Sequence, residues 1–129
     1  MGAEPFEYAV LRLVPRVERG ERINVGVVLF CRTLQFLGTR IELDAPRRAA
    51  VLALAPQADI DAIVDHLRVI ERIVQGDPSA GPIAALAAPE RFRWVVSPSS
   101  TMIQPSAVHS GLSEDPAATL DQIFATQVA

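Results

Sequence analysis

The chain has 129 residues, half of them hydrophobic, and a formal net charge of −3. That is enough apolar material for one packed domain, and it excludes a disordered chain. The net negative charge disfavours broad electrostatic binding of nucleic acid.

All twelve basic residues are arginine. Residues 1–48 hold eight arginines against six acids, giving +2, and residues 49–129 hold four against nine, giving −5. The N-terminal third is therefore the local exception to an acidic chain. No apolar run approaches the length of a membrane span. The opening MGAEPFEY has neither the basic region nor the apolar core of a secretory signal. Cys31 is the only cysteine, so no internal disulfide can form, and a cytoplasmic location is expected.

Taken in chain order, Phe6–Val14 is rich in Tyr, Val and Leu and predicts a strand that Pro15 ends. Arg16–Arg22 is a charged connection with Gly20 as its turn residue. Ile23–Cys31 is almost continuously apolar, which predicts a central strand buried on both faces. Asn24 and Gly26 interrupt it, and each needs a reason, such as a bulge, a close backbone approach or a ligand. Gln35–Leu43 predicts a third strand, with Gly38 as a candidate bulge. The connections are short, so the three strands form an antiparallel meander.

Helices follow. Asp44 caps one running to Ala55, and Asp59 caps a longer one to Gln75 with Gly76 as its stop. Pro82 starts a short third helix through about Ala88. Phe92–Val96 is expected as a fourth strand, with Thr101–Gln104 pairing back on it as a hairpin. Asp115 and Pro116 start the last helix. Strands first and helices later predict one α+β domain. Its sheet is a mostly antiparallel meander of four to five strands packed with three to four helices.

The segments YAVLRLVPRVERGERINVGVVLFC, GDPSAGPI, ERFRWVV and TMIQPSAVHSGLSEDP, in that order, resemble the bacterial family catalogued as domain of unknown function 3037. The resemblance spans nearly the whole chain and brings no established activity with it. Family members are often encoded beside a protein resembling the HipA kinase fold, so the resemblance implies a kinase-fold protein partner. Many relatives carry Arg where this chain has Ser99. The resemblance then implies that any anion contact made there is lost or supplied by another arginine.

The residues themselves offer three clusters. Arg16, Arg19 and Arg22, with Arg12 on the preceding strand, can fork around phosphate or carboxylate. The interleaved Glu18 and Glu21 favour a solvated, self-paired loop instead. Asn24, set among apolar neighbours, must be satisfied if buried, and a backbone partner is the favoured reading over a ligand. The polar segment Ser97–Asp115 concentrates hydroxyls and amides, among them Ser100, Thr101 and Gln104, with His109. Such a segment can surround a polar ligand, or it can be a loop stitched by its own side chains. Arg47 and Arg48 stand at a helix start, where the dipole disfavours cations; local offset by Glu42 and Asp44 is the favoured account. A Ser–His–Asp set from Ser100 or Ser106, His109 and Asp115 has no nucleophile-elbow sequence behind it.

No metal set of recognised spacing, no phosphate-binding glycine loop and no cofactor motif is present, so catalysis is not expected. The sequence leads to a non-catalytic binding or adaptor domain for a protein partner. Its contact residues are drawn from Arg16, Arg19, Arg22, Asn24, Ser100, Thr101, Gln104 and His109. The other reading is a small enzyme or sensor holding an anionic small molecule between the 16–24 and 97–115 loops. The apolar faces can also continue across a symmetric homodimer.

Overall fold

The computed structural model describes residues 2–99 and 101–129. Its elements are β1 (Glu4–Leu13), β2 (Ile23–Cys31), β3 (Phe36–Ile41), α1 (Ala45–Leu54), α2 (Ile60–Gln75), α3 (Ala88–Val96), β4 (Ile103–Pro105), β5 (His109–Ser113) and α4 (Pro116–Gln127). Two short 3-10 turns, Pro78–Ala80 and Pro82–Ala85, join α2 to α3.

β1, β2 and β3 form the expected antiparallel meander. β4 and β5 both pair antiparallel with the other side of β1, end to end along one edge. Alternation along the strands then divides the core in two. Ala9, Leu11, Leu13, Val25, Val28 and Phe30 pack against α1, α2 and α3. Phe6, Val27, Leu29 and Cys31 pack against Leu120, Phe124 and Val128 at and beyond α4. Helices on both faces explain why β2 reads as continuously apolar.

Local signals set most helix ends. Asp44, Asp59 and Asp115 accept from the backbone N–H of Arg47, Ala62 and Ala118. Gly76 closes α2 with φ 72°, which costs glycine little.

Two irregularities matter for function. In the β1–β2 ladder, Leu11 pairs with Gly26 and Arg12 with Asn24, so Val25 has no partner across from it. This bulge keeps Val25 in the core under α1–α3 and turns Asn24 to the α4 side. On the other edge, Leu11 pairs with Pro105 and Tyr8 with His109. Ser106, Ala107 and Val108 therefore stand against only Ala9 and Val10. Ser106 repairs the gap: its N–H donates to Val10 O at 2.8 Å, and its Oγ accepts from Val10 N at 2.8 Å. Ser106→Ala leaves the Val10 N–H without that acceptor. It is expected to lower stability by about 1–2 kcal/mol, read as a lower urea midpoint at unchanged slope. An unchanged midpoint would show that Val10 finds another acceptor.

Three expectations are corrected. Phe92–Val96 is the end of α3, not a strand, so no hairpin forms on it. Its β-branched and aromatic residues favour a strand. The helix is decided by Pro89 in its first turn and by Phe92 and Val95, three apart, both facing the core. The short helix from Pro82 is a 3-10 turn that ends at Ala85. Gly38 marks no bulge, since the β2–β3 register runs unbroken past it; the Phe36 ring occupies the space a Cβ would need.

Candidate functional site

The polar Ser97–Asp115 segment contributes two short edge strands, β4 and β5, rather than a loop alone. Its β4 part is blocked as a template: Pro105 has no N–H, and its carbonyl accepts from Arg12 Nη2 at 3.4 Å. The β5 part carries no Asp, Glu, Lys or Arg and no proline, and it pairs only with β1 among the described residues. Leu112 on it is 70% exposed, and Val108 just before it is exposed as well. His109 stacks on Tyr8 with ring centroids 5.3 Å apart. Gly111 lies against the Phe6 ring, where a Cβ would come within 2.8 Å.

The arginine loop is largely engaged by its own fold. Arg16 donates from Nε to Leu54 O at the end of α1, 3.1 Å away. Arg19 pairs with Glu21 at 2.9 Å. Arg22 is different. It stands on an open cleft of about 740 Å³ between the ends of β1 and β2, the start of α1 and the end of α4. Arg12, Asn24, Arg47, Gln127 and Val128 line the same cleft.

Asn24 and Arg47 build its floor. Asn24 Nδ2 donates to Gln127 O at 2.9 Å. Arg47 donates to Asn24 O at 3.1 Å, to Asp44 Oδ2 at 2.7 Å and to Val128 O. One guanidinium thus ties α1, β2 and the C-terminal end of α4, where helix carbonyls lack partners. Arg12 comes from the neighbouring strand. Its Nε is buried and has no hydrogen-bond partner among the described residues. Burial, and then the positive charge of Arg22, lower its pKa from the ordinary arginine value.

The remaining sequence candidates lie elsewhere. Gln104 lines a smaller concavity of about 230 Å³ that shares Arg12 and Arg22 with the main cleft. Thr101 lines a different cleft beside His66 and Trp94, where its Oγ1 lies 2.8 Å from Ser99 Oγ. Arg16 lines a third, beside Pro56 and Met102. His109 lines none of these. Ser100 lies outside the described residues. Ser106 is committed to the β1 ladder and Asp115 to capping α4, so these two make no triad with His109. Arg47 was visible in the sequence only as a misplaced cation at a helix start. Its reach to Val128 depends on a contact 81 residues away.

The architecture is that of an α+β domain with helices on both faces of a five-stranded antiparallel sheet. Residues 8–128 match the family described as Protein of unknown function (DUF3037), and the chain belongs to it. No curated protein and no solved structure matches the chain. No described helix is long and apolar enough to cross a membrane.

Proposed function

We propose that this domain is a non-catalytic protein-binding module that receives an extended segment of its partner along β5. The observation that carries the reading is the β5 edge itself: without Asp, Glu, Lys or Arg, paired on one side only among the described residues, with Leu112 70% exposed. Edge strands that are not pairing sites are ordinarily protected by charge, proline or a bulge. Here proline and the bulge fall on β4 and Ser106, and β5 is left free. Strand addition draws affinity from main-chain hydrogen bonds and specificity from alternate side chains. The family resemblance supplies a candidate partner, a protein of HipA-like kinase fold in the same cytoplasm.

The test is co-purification from the native host with mass spectrometry, wild type beside Leu112→Arg. Leu112 is exposed, so the variant folds normally. A protein recovered with the wild type and lost from the variant supports the edge as the docking site. Equal recovery with both forms, or recovery of the domain alone at low and high salt, counts against it. A doubled mass in solution that Leu112→Arg returns to monomer would make the partner a second copy of this chain.

A further inference from the structure

We propose that the cleft between β1, β2, α1 and the end of α4 binds a phosphate monoester carried by a small molecule, with Arg12 and Arg22 as the paired forks. This site is separate from the β5 edge and does not depend on it.

Among the described residues the ion pairs are Arg19–Glu21, Arg40–Asp121 and Arg47–Asp44. Arg12 and Arg22 are in none of them, although the chain as a whole is acidic. Neither concavity that these two residues share is lined by a carboxylate side chain. Among the described residues Arg12 Nε is buried and unpartnered, and the only hydrogen bond from the Arg12 side chain is the long one to Pro105 O. Two guanidinium groups thus line the same concavities, one of them partly desolvated, with no carboxylate side chain in the lining. Both the desolvation and the mutual repulsion oppose the charged form of Arg12, as its lowered pKa reflects. A dianion placed between the two reverses the sign of the second effect and satisfies the idle donors.

The chemistry favours phosphate. A phosphate monoester carries roughly −1.5 to −2 charge at neutral pH and three acceptor oxygens, which suits two arginine forks. A single carboxylate offers one charge to two cations. Apart from Arg47, which is engaged by Asp44 and by the Asn24 and Val128 carbonyls, the rest of the lining, including Pro46, Ala50 and Gln127, is uncharged and can take the remainder of a small ligand. The cleft volume of about 740 Å³ is that of a small-molecule site. The net charge of −3 argues against an extended polyanion such as RNA as the carrier of the phosphate.

The experiment is calorimetric titration of the full chain with inorganic phosphate and with ribose 5-phosphate, at fixed ionic strength. Saturable binding is expected, tighter for ribose 5-phosphate, and weaker by about tenfold or more in Arg22→Gln. Arg12→Met is expected to weaken it similarly. Arg68→Gln, an exposed arginine on α2, serves as the control and binds as wild type. Arg22 is exposed, so its variant remains informative even if Arg12→Met does not fold. The proposal is overturned if neither probe binds, if Arg22→Gln binds as wild type, or if Arg68→Gln loses as much.

Discussion

Gly26→Val is expected to destabilise the domain by about 3 kcal/mol, because the added side chain has no room that a rotamer change can create. A Cβ at this position would stand 2.8 Å from Arg40 O and 2.8 Å from Ile41 Cγ1. Arg40 O belongs to the backbone of β3, which runs in unbroken register beside β2, so relief requires the two strands to separate. Gly38→Ala is the comparison. Its nearest atoms belong to the half-buried Phe36 ring, at 2.6 and 2.9 Å, and a side chain can swing aside. It is expected to cost less than about 1.5 kcal/mol. Urea denaturation of both variants decides the matter. Equal losses would mean that the β3 backbone at Arg40 yields as easily as a ring.

Arg47→Ala is expected to lower stability by about 2–3 kcal/mol, since one side chain serves three acceptors. Its loss strands the Asn24 and Val128 carbonyls and leaves Asp44 without its ion-pair partner. The damage should be local first. Amide exchange in the last turn of α4, around Phe124 to Val128, should accelerate before the β1 and β2 amides change. Arg47→Lys should restore only part of the loss, because an ammonium cannot span the three acceptors as a fork does. Arg48→Ala, which removes one exposed bond to Leu43 O, should cost less than about 1 kcal/mol. If α4 keeps its protection in Arg47→Ala, then Asn24 alone holds its end.

The parts of the fold legible in the sequence are those whose cause is local. Asp44, Asp59 and Asp115 announce helix starts and Gly76 a stop, because each acts within a few residues of itself. The meander was legible because short connections leave antiparallel neighbours as the only geometry. The edge strand over 103–113 was not. Its residues mix polar and apolar types without a clean alternation, with Gly111 and Pro105 among them, and its extended form comes from pairing with β1 about a hundred residues earlier. The last residues of α3 misled for the opposite reason: RFRWVV has strong strand preference, overridden by the burial of Phe92 and Val95.

At the site, an arginine-rich N-terminal third was plain from composition. Which arginines remain unspent was not, because Arg16, Arg19 and Arg47 are taken up by Leu54 O, Glu21 and the α4 carbonyls. Those partners are set by tertiary folding. Of the arginines that line the cleft, Arg47 is in an ion pair, while Arg12 and Arg22 are in none.

The unpaired Val25 is a phase slip in the alternation of β2. A strand with this sequence and no slip would point Asn24 into the packing beneath α1–α3 and turn Ile23 and Val25 toward α4. The amide that holds Gln127 O would then be sealed among apolar side chains, and the floor of the arginine cleft would be lost with it. Changes of length in this strand are therefore not equivalent. Removing Val25 outright leaves Asn24 in phase and sacrifices one core valine, whereas keeping Val25 and ironing out the slip inverts everything before it. The cleft is a property of the strand's reading frame as much as of the arginines that line it.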